Sequence, residues 1–315
     1  MDDALRAAAE TAVHQCLGLA AGESCAVVTD DDRLGIGEAL YAVAAETTDD
    51  AVLLRYPPGD QHGAEPPDPV AGALRESDAF LAPTTKSLSH TRARSRATDA
   101  GARGATLPGI TEEVFTTGLA ADYDAIAAAC ADVYEQVAGA DEIRVTAPGG
   151  TDITVEPGAR EWRRDTGDID EPGEFSNLPA GEVFVSPETA AGRYVVDGTM
   201  MPHGRLTDPI EFGVEAGQVT SVSDDAVREQ LEAAAEEVGA AAYNLAELGI
   251  GTNVGVTELV GSVLLDEKAG GTVHLAVGDD ASIGGDTEAP VHLDGIITDA
   301  AVFADGEAVE LPAVE

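Results

Sequence analysis

The chain has 315 residues, 59 acidic against 17 basic, for a formal net charge of −42. With 44% hydrophobic residues it can bury a core, which excludes a disordered acidic tail. So large a negative charge argues against nucleic acid or an anionic membrane surface as a partner, because both would repel it. The basic residues are 15 Arg and only 2 Lys, Lys86 and Lys268. A folded, acid-rich, lysine-poor chain reads as a protein of a high-salt cytosol, where carboxylates stay hydrated and their repulsion is screened. Cys16, Cys25 and Cys130 are widely spaced and form no C-x-x-C, which fits a reducing compartment. The acidic start Met1-Asp2-Asp3 lacks the basic region of a signal peptide, and no apolar run reaches about 18 residues. A cytoplasmic location is expected.

In chain order, residues 2–20 carry helical apolar spacing up to Gly22. Strands are predicted at 24–29, 51–56 and 79–82, with helices near 36–46 and 70–76 between them, a pattern that implies a parallel α/β layer. Gly35-x-Gly37 is no dinucleotide fingerprint, since its third glycine would fall on Leu40. After a helix at about 122–137 the texture changes to hairpins: 143–146 with 152–155 across Pro148-Gly149-Gly150, then 210–214 with 219–222 across Gly217. Strands at 183–185 and 193–196, helices at about 225–248 and 257–268, strands at 272–277 and 291–297, and a hairpin around Asp305-Gly306 complete the prediction. The expected fold is an N-terminal parallel α/β domain (1–140) followed by a β-rich α+β domain (141–315).

Two of the six histidines stand in metal-suited surroundings. His292 and Asp294 are two apart in a strand, so an imidazole and a carboxylate project together. His274 lies in its own apolar strand and offers a second imidazole. Glu182 opens the run Val183-Phe184-Val185, and Glu247 sits among apolar neighbours in Ala246-Glu247-Leu248-Gly249-Ile250. Both are acids on elements expected to be buried, where an unpaired charge is costly and a metal would resolve it. Asp279 and Asp280 follow His274 closely enough to support such a site, although acid pairs in this chain read first as solvated surface.

The segments 177–184, 246–253, 271–278 and 291–295 occur in this order and together resemble the aminopeptidase T-like metallopeptidase superfamily; residues 80–112 match more loosely. The resemblance implies a homodimer and a metal centre in the second domain held by Glu182, Glu247, His274, His292 and Asp294. It implies two divalent ions (Zn, Co or Mn) that activate a water to remove N-terminal residues from short peptides, with Glu182 or Glu247 moving the proton. Where the peptidases carry a tyrosine ligand, seven residues after the first histidine, this chain has Ala281. In that respect it resembles a divergent branch that includes 2,5-dihydroxypyridine dioxygenase, a mononuclear non-haem Fe(II) enzyme using two histidines and one carboxylate. His274, His292 and Asp294 satisfy that pattern by themselves. The leading expectation is the aminopeptidase-like hydrolase. The alternatives are the Fe(II) ring-cleaving dioxygenase and a non-catalytic metal- or ligand-binding relative.

Lys86, Arg92, Arg94, Arg96 and Arg103 cluster in one stretch opposed only by Asp99. Ser87, Ser89, His90 and Arg92 are candidates to line the mouth of the site and hold a carboxylate of a small peptide or other small-molecule substrate. The competing reading of the stretch is a set of arginines paired with surface acids.

Overall fold

Continuous apolar runs suit strands covered on both faces, and alternating patterns suit strands covered on one; the chain uses both, in different places. The computed structural model describes residues 2–312 and divides into two units. The first contains the residues up to Asp124 together with Thr166–Ala180; the second contains Ala125–Asp165 and everything from Gly181. The chain passes between units at 124/125, 165/166 and 180/181, where the sequence pattern shows a single change of texture near residue 140.

The first unit is built on a five-stranded parallel sheet in the order Ala51–Tyr56, Cys25–Asp30, Ala79–Thr84, Arg103–Pro108, Phe175–Asn177. Cys25–Asp30 and Ala79–Thr84 are buried along their whole length, as their apolar runs require. Helices Leu34–Thr47, Asp68–Glu76 and Arg92–Asp99 connect successive strands. Helix Arg92–Asp99 and strand Arg103–Pro108 are invisible in the sequence pattern. The helix is almost wholly polar, and only Ala93 and Ala97 face the core. The strand opens on a charge and contains glycine and proline.

Arg103 explains that strand. Its guanidinium is buried, donates to the carbonyls of Leu17 at 3.0 Å and Gly18 at 3.3 Å, and grips Glu23 with both terminal nitrogens at 2.8 and 2.7 Å. A paired guanidinium thus ties the segment after the N-terminal helix to the sheet.

The second unit holds two antiparallel seven-stranded sheets. One runs Gln218–Val222, Ile210–Glu215, Thr189–Val196, Asp152–Glu156, Ile143–Thr146, Ala301–Ala304, Glu307–Ala308, and contains the three expected hairpins. The other runs Gly204–Arg205, Thr199–Met200, His292–Ile297, Val273–Gly278, Leu245–Gly251, Glu182–Val185, Arg163–Asp165.

Two helix predictions are corrected here. The helix beginning at Asp225 stops at Val238, where Gly239 takes φ +64°, and Leu245–Gly251 is a strand buried at every position. An apolar run between two partner strands carries no alternation, so it cannot be told from a helix end by pattern alone. The helix expected over 257–268 shrinks to Val263–Asp266. The carboxylate of Asp266 accepts from the backbone of Val260 and Gly261, both at 2.8 Å, and from Thr199 Oγ1 at 2.5 Å, and so holds the preceding segment as a loop.

Replacing Arg103 by Met is expected to destabilise the protein by about 2–3 kcal/mol, because it leaves buried acceptors unpartnered; a lower urea midpoint at unchanged slope would show it. The hydrogen bond from Arg103 holds the Glu23 carboxyl below its ordinary value, against a burial effect that raises it. A lowered folded-state pKa contributes stability above the unfolded value of 4.5 and loses it as pH falls through the folded value. The stability difference between wild type and Glu23→Gln should therefore shrink as the urea midpoints are measured below pH 4.5.

Candidate metal centre

Four neighbouring strands of the second sheet each deliver chemistry to one place. Glu182 opens its strand opposite Gly251; Glu247 lies across from Ala276, which in turn lies across from Asp294; His274 pairs with Gly249; and His292 pairs with Gly278. The period of two puts His274 and Ala276 on one face of their strand, and His292 and Asp294 on one face of theirs. Small residues make the room. A methyl group added to Gly249 would stand 2.1 Å from His274 Nε2, so glycine there is the condition for the imidazole's position. A register shift between Leu245 and Glu247 marks a bulge beside the glutamate, a device that re-aims a side chain within a ladder.

The donor atoms converge. His274 Nε2 lies 3.3 Å from Glu182 Oε2 and 3.4 Å from Glu247 Oε1. His292 Nε2 lies 3.2 Å from Glu247 Oε2 and 3.3 Å from Asp294 Oδ1. Glu247 therefore stands between the two imidazoles. The His292 ring is oriented from behind, with Nδ1 2.6 Å from the carbonyl of Asp279. Nδ1 donates there, which turns Nε2 toward the acids as the nitrogen able to ligate. Asp279 thus supports the site through its backbone. Asp280 is buried and accepts from Ser186 Oγ, Asn244 Nδ2 and the Thr287 amide, fastening the segment that leads to His292.

Charge compensation dominates the electrostatics. Burial pushes the Glu182 carboxyl up, against the opposing pull of Lys268 and His274. Burial acts the same way on Glu247, but hydrogen bonds from His274 and His292 outweigh it and hold the group below its ordinary range. Burial lowers His274, and the carboxylates of Glu247 and Glu182 overcome it and lift the imidazole to about 9. The acids thus call for positive charge at the imidazole nitrogens. Glu182 Oε2 is buried with no hydrogen-bond partner among the described residues. A divalent cation fits this donor set: Glu182, Glu247 and His274 form one group whose ligand atoms lie mutually within 4.8 Å, and Glu247, His292 and Asp294 form another.

All five residues expected to hold metal are therefore brought together. The basic stretch belongs to the first unit. Ser89 is buried, with its hydroxyl 2.7 Å from Thr106 Oγ1 and 2.9 Å from Asn177 Oδ1, and it receives the hydroxyl of Ser87 at 2.9 Å. Arg92 is exposed and pairs with Glu65 at 3.2 Å, while His90 is exposed. Arg94 stacks over Phe175. Sequence reasoning missed Lys268, whose buried ammonium lies 3.0 Å from Glu182 Oε1. Its signal was rarity: it is one of two lysines in the chain.

Comparison with known proteins narrows the reading. A search of curated proteins finds no match. Over 98% of its length the chain superposes on 2,5-dihydroxypyridine dioxygenase from Pseudomonas putida KT2440, with a TM-score of 0.78, 18% identity and 95% of that chain covered. It also superposes on wild-type AmpT from Thermus thermophilus, with a TM-score of 0.70, 20% identity, and 98% and 99% of the two chains covered. At these identities the two structures establish the fold, an α/β layer with a separate antiparallel unit, as expected from the sequence. The family model for NicX, 2,5-dihydroxypyridine 5,6-dioxygenase, matches residues 11–311. That match corrects the aminopeptidase expectation: the leading hydrolase reading gives way to the dioxygenase alternative. A dioxygenase family implies a metal cofactor, and the carboxylate–histidine cluster provides a site that suits one. The chain belongs to the NicX, 2,5-dihydroxypyridine 5,6-dioxygenase, family.

Proposed function

We propose that this protein is a metal-dependent dioxygenase that opens the ring of a dihydroxylated pyridine, with iron(II) held by His274, His292 and Asp294. The observation that supports the reading is the cluster on adjacent strands in which Glu247 stands between the two imidazole Nε2 atoms and Asp294 lies beside His292, in a chain matched by the dioxygenase family over residues 11–311. When bound, the metal supplies the redox chemistry by which molecular oxygen reacts with an electron-rich ring. The protein's own groups do the rest. Asp279, through its carbonyl, keeps the proton of His292 on Nδ1. Glu247 belongs to both donor groups and lies against both imidazoles. The substrate is a small aromatic molecule, and neither peptide nor nucleic acid is needed to explain the site.

Protein purified in high potassium chloride and loaded anaerobically with Fe(II) should consume one O2 per 2,5-dihydroxypyridine, with loss of the ring's ultraviolet absorbance. An oxygen electrode that records no uptake above the uncatalysed rate would overturn the assignment. His292→Ala and Asp294→Ala should each lower metal affinity by about 10–100-fold or more, and turnover with it, while circular dichroism still reports a folded chain. Metal content unchanged in both would remove these residues from the site. Gly249→Ala is expected to displace the His274 imidazole, since its methyl would meet the ring, and to weaken metal binding by about 10–100-fold without touching a ligand; a metal titration followed by tryptophan fluorescence or calorimetry reads this directly.

A further inference from the structure

Lys268 has no role in the reading above, yet it is 2% exposed at the edge of the cluster. Its ammonium lies 3.0 Å from Glu182 Oε1 and 2.5 Å from Glu267 Oε1. Its backbone is fastened as well: the Asn253 amide donates to its carbonyl at 2.8 Å, and its own amide donates to Leu265 at 3.1 Å. The cluster offers two groups of donors close enough to grip an ion, Glu182–Glu247–His274 and Glu247–His292–Asp294. Lys268 touches an acid of the first group only.

We propose that Lys268 is a built-in cation that takes the place of a second metal ion, and so limits this carboxylate-rich cluster to one divalent ion. The inference rests on the metal-centre reading above. A carboxylate gripped by an ammonium on one oxygen has part of its charge already matched. A dication on its other oxygen would then face the ammonium only a few ångströms away, in a buried place where repulsion is poorly screened. Glu182 is in that state. Among the described residues, Glu247 and Asp294 have no lysine or arginine among their ion-pair partners, so their charge is the part left for an ion. One fixed cation and one bound ion thus divide the same set of acids between them.

Metal stoichiometry tests this without reference to turnover. Full-length protein stripped with chelator, reloaded with excess Mn(II), desalted and measured by inductively coupled plasma mass spectrometry should hold one ion per chain. Lys268→Gln, which keeps an N–H donor for Glu182 but removes the charge, should hold two. Glu182→Gln combined with Lys268→Gln should return to one. One ion in a folded Lys268→Gln protein overturns the inference and leaves the metal reading standing. No ion in the wild type overturns both. Calorimetric titration of the wild type with Mn(II) gives a check that does not depend on any variant folding: a single site supports the proposal, and a second site filling below millimolar concentration overturns it.

Discussion

Everything in the second unit is arranged around the cost of burying acids. The side chains of Glu182, Glu247, Glu267 and Asp294 are only 7–14% exposed, and a carboxylate removed from water needs compensation of comparable strength. Hydrogen bonds alone do not provide it, since Glu182 Oε2 has no such partner among the described residues. The compensation comes from cations: a lysine on one side, and two imidazoles whose Nε2 atoms mark where a metal would sit. Burial pushes the Glu267 carboxyl up to about 7 even with Lys268 opposing it, so a single ammonium does not satisfy its neighbourhood. A site with this surplus of negative charge is a cation site by electrostatics before any family is considered.

The antiparallel sheet suits this task because its register is rigid and its faces alternate. A one-residue slip of Val273–Gly278 would turn His274 away from the acids and send Val273 or Leu275 toward them, so the apolar neighbours that stay buried on the other face also lock the ligands. The same strand shows why glycine and alanine recur here. Ala276 separates Glu247 from Asp294 across the ladder, and Gly249 leaves space for the imidazole of His274. A larger residue at either place would occupy the volume in which the donor atoms meet. The first unit obeys a different rule: buried parallel strands joined by helices, with charge admitted only where it is gripped, as at Arg103 and Glu23.

Much of this was legible in the sequence, for reasons that can be named. The strands 25–30, 51–56 and 79–84 announce themselves by apolar content, and the hairpins by glycine between alternating runs. His292 and Asp294 were legible because the spacing of two is itself the geometry. Glu182 and Glu247 stood out as acids in apolar surroundings, although the strand holding Glu247 reads as a helix end, because central strands lack alternation. What the pattern hides is convergence. Nothing in one dimension says that four strands lie side by side in the order that brings Glu182, Glu247, His274 and His292 together. The chemistry was misjudged for a related reason: shared ligand motifs serve both hydrolysis and oxygenation, and the motifs common to the two carry no information about which reaction follows.

The arginine-rich stretch and Lys268 give opposite lessons about scarce charge. In a chain of net charge −42, a cluster of arginines draws the eye, yet the structure spends them locally, on Glu65, on Glu23 and on the face of Phe175. Among the described residues, the isolated Lys268 reaches the acid cluster. This follows from side-chain chemistry. A planar guanidinium suits bidentate pairing with a carboxylate, whereas a compact ammonium at the end of a flexible stem can enter a crowded group of acids and sit as a point charge. An acid-rich surface has abundant partners for arginine. A buried lysine must be neutralised by acids that come to it, so its position reports where the interior has gathered negative charge.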